Sequence, residues 1–541
     1  MAVDKHLDSI VWCNDPWDEP PISEEARRLL RECCDAHPPD SPDPPLDAAT
    51  YLQELIDNSK RFPIPFPVHT VRLEKLKLKT PAERLVRNAQ STYPLMNQRV
   101  LVLMANFLIY KRIYGSNIEK EMYKEMSIPQ LIERILQKRA ITFMKAQDQY
   151  KLITGEKGVD GWESVGTESE QPPLVLSQCL SYDEMKLSAL VYVSGYTECI
   201  NDGARRNAAA PAPAAAAAER EAVIIGVIGP RFKRVNRMGY EDIVVTKDQN
   251  RSENGYGESN DACPPARRAW IKLWADFYQL PSMTHDELYD REQPVPCTSS
   301  RMFSTRWASV KGLAFDNTAY YRRLQLILDT CLVEANHRAR EADKFAFLNI
   351  IGAGLGVWKL SPHQVDVFVL AALLRARHLL GAGALPRVAD VNLAYIKPGK
   401  HVAALFESSV RTSSGNEDGD VPLKLFLKNK DHPKGGINVQ LQNREPSSQL
   451  RGEHEGKLLV LTYPWDGNAH PGNEFWVGKL TSSGDPAAAC ATQVAELHNA
   501  RVNRRALRAP RTALAAPRAP RAPRPCTLPA HYAALLRDRH Q

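Results

Sequence analysis

Six short β-branched runs, at residues 223–228, 243–246, 345–351, 388–396, 437–441 and 458–463, are separated by long helical stretches at 266–278, 319–342 and 362–379. Parallel neighbours in a sheet need a long crossover between them, and a helix is the usual one. Alternating strands and helices therefore predict an α/β domain with a mostly parallel or mixed sheet flanked by helices. An amphipathic helix over residues 181–195, opening near Asp183 and Glu184, precedes the first of these strands.

Before residue 174 the periodicity is different. Residues 1–80 alternate short helical patterns with Pro-rich breaks, and stretches 84–90, 96–114, 118–125 and 129–151 place apolar residues three and four apart. Ser127 and Pro129 suit a helix start. No catalytic constellation occurs in this part, and its partner is left open. The reading is a mainly helical N-terminal region over 1–153, a polar linker at 154–173 and an α/β domain over 174–501. Ala/Pro low complexity at 208–220 reads as a disordered insertion, and the Arg/Ala/Pro tail at 502–541 as disordered too.

Composition narrows the function. The net charge is +7, but residues 501–541 hold ten Arg and one Asp, so the rest of the chain is near −2. The basic balance belongs to the tail, which gives little support to nucleic-acid binding by the fold. Ten scattered Cys form no CxxC pair, which suits reduced thiols in a cytoplasmic protein and gives no zinc motif. Gly452-Glu453-His454-Glu455-Gly456 lacks the second His of a zinc-protease helix. The most apolar run, 100–110, is too short to span a bilayer and is closed by Lys111 and Arg112, so no membrane partner is expected.

The densest chemistry follows the last strand. Trp465-Asp466-Gly467-Asn468-Ala469-His470-Pro471-Gly472-Asn473-Glu474-Phe475-Trp476 is followed by Ser483-Gly484-Asp485-Pro486. Gly, Asn and Pro in such density mean an irregular loop, and α/β folds place their sites at the carboxyl ends of strands. Asp466, Glu474 and Asp485 are spaced to surround one pocket if the loop folds back. Two further loops follow strands. Gly352-Ala353-Gly354-Leu355-Gly356-Val357-Trp358, before a helix opened by Ser361-Pro362, can bring backbone amides to a phosphate. It is neither GxGxxG nor a Walker motif. The other, 247–257, contains Asn250, Gly255 and Gly257, and all three loops are expected at one cleft.

Together the three loops resemble a divergent macrodomain, and more closely a family of animal proteins carrying a domain of unknown function. Bacterial effectors related to that family remove ADP-ribose from arginine. The resemblance covers about residues 175–500; the first loop departs from the usual Asn-Ala-Ala-Asn pattern. It implies a macrodomain-like mixed sheet, with Gly352, Gly354, Gly356 and Val357 lining a diphosphate. It implies that Asp466, Glu474 and Asp485 are the acidic catalytic set. Asn468, Asn473, Asn250, Gly255 and Gly257 are candidate ligand contacts, and Asn201, Asp202 and Arg206 are candidates for the ribose or adenine. Trp358 or Trp476 either stacks on a ring or packs the loop. The expected function is an ADP-ribosyl hydrolase acting on modified protein side chains, arginine above all, with no cofactor or metal. The alternative is a reader that binds ADP-ribose without cleaving it.

Overall fold

The structure is a computed structural model that describes residues 2–14, 16–18, 21–36, 47–212, 218–258, 262–297, 303–407, 422–507, 511–513 and 526–527. Its large sheet contains β1 (Tyr93–Asn97), β2 (Tyr192–Glu198), β3 (Glu221–Val227), β4 (Ala346–Ile351), β5 (Val388–Ala394), β6 (Leu423–Lys428), β7 (Gly436–Leu441), β8 (Leu458–Pro464), β9 (Arg511–Ala513) and β10 (Cys526–Thr527). Their order is β6-β7-β5-β4-β8-β3-β2-β1-β9-β10. The run β7, β5, β4, β8, β3 is parallel throughout. β6 pairs antiparallel to β7, and β2 antiparallel to β3. Parallel strands buried on both faces need continuous apolar sequence; Val223, Ile224, Ile225, Leu459, Val460 and Leu461 supply it, all buried.

Helices cover the sheet. Asn317–Glu341 is capped by Asp316, whose carboxylate accepts from the Thr318 and Ala319 amides at 2.9 and 3.0 Å. Its charged residues are paired where they enter the core. Arg338 Nε lies 2.7 Å from Glu334, which also accepts from the Tyr93 hydroxyl at 2.7 Å. Asp329 takes Arg375 of helix His363–Gly381 at 2.7 Å. Buried charges persist only when paired in this way. Among the described residues no helix is long and apolar enough to cross a membrane.

Several expectations need correction. The helix expected at 181–195 stops at Ser188 (Tyr182–Ser188), and β2 follows. Gly195 lies inside β2 because a Cβ there would collide with Thr92. The helix expected at 129–151 ends at Gln137, and Thr142–Met144 and Gln149–Lys151 form a hairpin. The stretch 154–173, read as a linker, contributes Lys157–Gly158 to that small sheet and buries Trp162. The expected strand at 243–246 is Val244–Val245, and it belongs to a separate four-stranded sheet with Leu313–Asp316, Trp307–Val310 and Val295–Pro296. Residues 213–217 and most of the tail lie outside the described residues, although β9 and β10 fall within the tail.

One hydrophobic core joins Leu7, Phe107, Phe143 and Trp162 to the strands of the large sheet and to Leu507. A smaller cluster packs Tyr51, Leu55, Leu73 and Leu85 on Leu497. Glu496, 2 % exposed, fastens this junction. Its carboxylate accepts from the Leu73 amide at 2.6 Å and from Arg72 Nε at 3.3 Å, and the Ser59 hydroxyl donates to it. Glu496→Ala leaves a buried guanidinium and an amide without their acceptor. It is expected to cost about 3–5 kcal/mol, read as a lower denaturant midpoint.

Candidate active site

The five parallel strands deliver their carboxyl ends to one edge of the sheet, so the loops that follow stand side by side in strand order. At roughly 4.8 Å per strand the edge is about 19 Å long. At one end, loop 465–471 after β8 and loop 228–231 after β3 border an open cleft of about 460 Å³. Asp466, Gly467 and Asn468 form one wall, and Gly229, Pro230 and Arg231 another. Helix Pro265–Tyr278 adds Trp274 and Tyr278, helix Tyr182–Ser188 adds Lys186, and Trp358 reaches in from the glycine loop after β4.

Asp466 is 4 % exposed, and its carboxylate accepts from the Asn468 backbone amide at 2.9 Å, a local turn that fixes the Asp466 side chain. Burial pushes its carboxyl up to about 6, against the pull of Arg231 and of the Asn468 amide. Asn468 is 1 % exposed, and neither Nδ2 nor Oδ1 of its side chain has a hydrogen-bond partner in the protein. A buried amide with both ends unsatisfied is costly, and this one lines the cleft. Arg231 is spent on Asp148 at 2.5 Å, and Lys186 on Glu241 and Asp242 at 2.7 and 2.8 Å.

The remaining acids come from the segments that follow this loop. Asp485, at the start of Gly484–Ala491, accepts from the Gly472 and Asn473 amides at 2.7 and 2.9 Å. Gly472 has φ +96°, a left-handed conformation that favours glycine. Burial raises the Asp485 carboxyl well above the carboxylate range, and the charges of Glu474 and Asp466 add to this. Glu474 is half-buried and accepts from the Ser483 hydroxyl at 3.1 Å. The structure thus brings the three acids together electrostatically, with Asp466 alone of them lining the cleft.

The other candidates divide. Gly354, with φ +80°, packs on Pro230, while nothing lies near a Cβ at Gly356, and Val357 is 77 % exposed. Gly352 is closed off by Leu355. Trp476 is buried against Phe62 and Phe66, a packing residue. Asn473 spends its amide on the Phe143 backbone, with 3.0 Å to both the N–H and the carbonyl. Asp202 accepts from the Ala204 amide and the Asn207 side chain, in the connection between β2 and β3, and its carbonyl accepts from the Ser447 amide. Asn201 is used up inside that loop on Gly203 and Ala210. Arg206 bridges Asp202 and Glu445 at 3.6 and 3.3 Å. Asn250, Gly255 and Gly257 are not brought to the Asp466 cleft. Their loop follows the small sheet, Asn250 holds the Met283 carbonyl, and both glycines pack on helices. Asn250 lines a separate hollow of about 500 Å³ that shares Asp242, Trp274 and Tyr278 with the cleft.

Loop 228–231, Lys186, Trp274 and Tyr278 were not legible as site residues. Gly229-Pro230 straight after a β-branched run is a turn signal that pointed to the first of these. Tyr395, just after β5, is half-exposed at φ +57°, a conformation a bulky residue seldom adopts.

Residues 53–519 match the family model described as ADP-ribosylhydrolase MavL-like. Two Drosophila melanogaster proteins are similar over nearly the whole chain. ADP-ribosylarginine hydrolase CG2909 is 35% identical over 495 residues, covering 91% of this chain and 91% of the relative. ADP-ribosylarginine hydrolase CG3568 is 36% identical over 503 residues, covering 91% and 90%. With a family match across most of its length and a buried acidic loop at the edge of a parallel sheet, the chain belongs to the MavL-like ADP-ribosylhydrolases.

Proposed function

We propose that this protein removes ADP-ribose from modified arginine side chains, using a macrodomain-like edge formed by β7, β5, β4, β8 and β3. The observation that carries the reading is Asp466: a buried carboxyl beside the unpartnered side-chain amide of Asn468, in a cleft at the carboxyl ends of parallel strands. The names of the two fly relatives support arginine as the linked residue. The glycine loop supports the diphosphate site, because Gly356 and Val357 leave backbone open to a ligand.

In this reading the distal ribose sits at Asp466. Breaking the bond from C1″ to the guanidine nitrogen builds positive charge on the ring, which nearby carboxylates stabilise. A water oxygen bonds to C1″ as the C1″–N bond breaks. The Asp466 carboxylate accepts the water's proton, and that proton ends on the departing nitrogen, so arginine leaves as a guanidinium and ADP-ribose gains the hydroxyl. A carboxyl near 6 suits both halves of the transfer at neutral pH. Glu474 adds negative charge from behind the cleft, and Asp485 holds the Gly472–Asn473 turn that carries it. Asn468 orients a ribose hydroxyl with its free amide.

Asn468→Ala tests this. Unfolding of the wild-type chain with ADP-ribose at a hundred times its dissociation constant should gain about 2.7 kcal/mol. The variant removes an unpaired buried amide, so its stability without ligand should hold or rise. Its affinity for ADP-ribose should fall about tenfold to a hundredfold, by calorimetric titration. Unchanged affinity would take Asn468 out of the site.

A further inference from the structure

Loop 466–470 is held from behind by a residue whose charge the proposed mechanism leaves unused. Arg139 follows helix Ile128–Gln137 and is 2 % exposed. Its Nε and Nη2 donate to Ser188 Oγ at 3.1 and 2.8 Å, and Ser188 Oγ donates onward to the Gly467 carbonyl at 2.6 Å. The guanidinium lies 4.2 Å over the ring of Trp465. Beside it, the Ala140 amide donates to the Asn468 carbonyl at 3.1 Å, and the His470 amide to the Ala140 carbonyl at 2.8 Å. Residues 139 and 140 thus grip the acidic loop on three sides.

Nη1 of Arg139 has no hydrogen-bond partner, and among the described residues no carboxylate lies within ion-pair distance of it. Arg338, Arg375 and Arg231, by contrast, are each paired with a carboxylate. Burial pulls Arg139 down to about 9, so it is still a cation at neutral pH, and the groups favouring its charge are Asp466 and Tyr463. Tyr463 is buried and held well above the usual phenol range, hence neutral. Asp466 is the remaining anion.

We propose that Arg139 is a positioning residue for the hydrolysis: it locks the turn at Asp466 through Ser188 and Trp465, and lends the Asp466 carboxylate an otherwise unpaired positive charge. The proposal rests on Asp466 as the acid–base group. Other charges face Asp466. Arg231 favours its ionised form but is shared with Asp148, which opposes it. Glu474 and Asp485 stand beyond the loop, with burial holding Asp485 toward its neutral form; Lys186 and Asp242 across the cleft pair with each other, and burial keeps His470 neutral.

The test uses the full chain as wild type, Asp466→Asn, Arg139→Gln, Arg139→Lys and the double variants with Asp466→Asn. Thermal unfolding from pH 4 to 9 gives the pH at which the stability advantage of Asp466→Asn stops growing. That pH should rise by about one unit in the Arg139→Gln background and stay in place with Lys. On an arginine-linked ADP-ribose peptide, Arg139→Gln should lose about a hundredfold in kcat with KM within about twofold, its acidic limb moving up by the same unit, and Lys should restore much of both. An unmoved transition, or equal losses in Gln and Lys with an unmoved limb, overturns the proposal and leaves Arg139 a spacer. Should Arg139→Gln not fold, Ser188→Ala keeps the charge and cuts the tether; kcat equal to wild type there overturns it. If the wild type releases no ADP-ribose, the hydrolase reading fails, while the unfolding series still decides whether Arg139 acts on Asp466.

Discussion

Asp466→Asn is expected to reduce release of ADP-ribose by about 10²–10⁴-fold while making the protein more stable at pH 8. The two effects share one cause. Burial holds the Asp466 carboxyl near 6 instead of the ordinary 3.8. The fold therefore favours the protonated acid. That contribution is fully present below pH 3.8 and is lost as pH rises through 6, where the wild type must ionise a buried group. Roughly two pH units at 1.36 kcal/mol each make the cost about 3 kcal/mol above pH 7. Asn keeps an oxygen for the Asn468 amide and carries no charge. Its advantage in unfolding free energy should be small at pH 4 and reach about 3 kcal/mol by pH 8. A variant that is inactive but no more stable at pH 8 would mean that Asp466 is not strained by its surroundings.

Gly229→Ala is expected to damage the protein more than any other single methyl group at this edge. A Cβ at residue 229 would run into the amide nitrogen of Gly354 and the carbonyl carbon of Ala353, and would lie 2.5 Å from the Ala353 carbonyl oxygen. These are backbone atoms, so no side chain can rotate away, and the two loops must part. About 3 kcal/mol of stability should be lost, together with most ADP-ribose affinity, because the glycine loop is seated on Gly229 and Pro230. Gly356→Ala is the control. Nothing lies within reach of a Cβ there, so stability should stay within about 0.5 kcal/mol. A loss of ADP-ribose affinity confined to that variant would mark where the ligand approaches the backbone. Melting curves with and without ADP-ribose separate the two outcomes.

The parallel strands were legible because runs such as Val223-Ile224-Ile225 and Leu458-Leu459-Val460 are apolar on both faces, and only a fully covered sheet demands that. The antiparallel flank was not. β1 contains Pro94, which argues against a strand, and β2 follows a capped helix without a break, its Gly195 placed for a neighbour far away in sequence. The acidic loop was readable from its crowding of Gly, Asn and carboxylates. Its geometry was not. Asp485 turns both oxygens to the Gly472 and Asn473 amides, and Asn473 turns away to Phe143. The loop at Asn250 was misjudged because its short strand joins another sheet, which local sequence does not reveal. Arg139 carried no signal, because its partners Ser188, Trp465 and the Asp466 turn meet only in the fold.

The most direct measurement is mass-spectrometric release of free ADP-ribose from a peptide modified on a single arginine, by the full chain and by Asp466→Asn. The wild type should return the unmodified arginine and free ADP-ribose in equal amounts. Asp466→Asn should release both at a rate lower by about 10²–10⁴-fold, while still gaining stability from added ADP-ribose. Turnover by Asp466→Asn at the wild-type rate, or none by the wild type, would contradict the account.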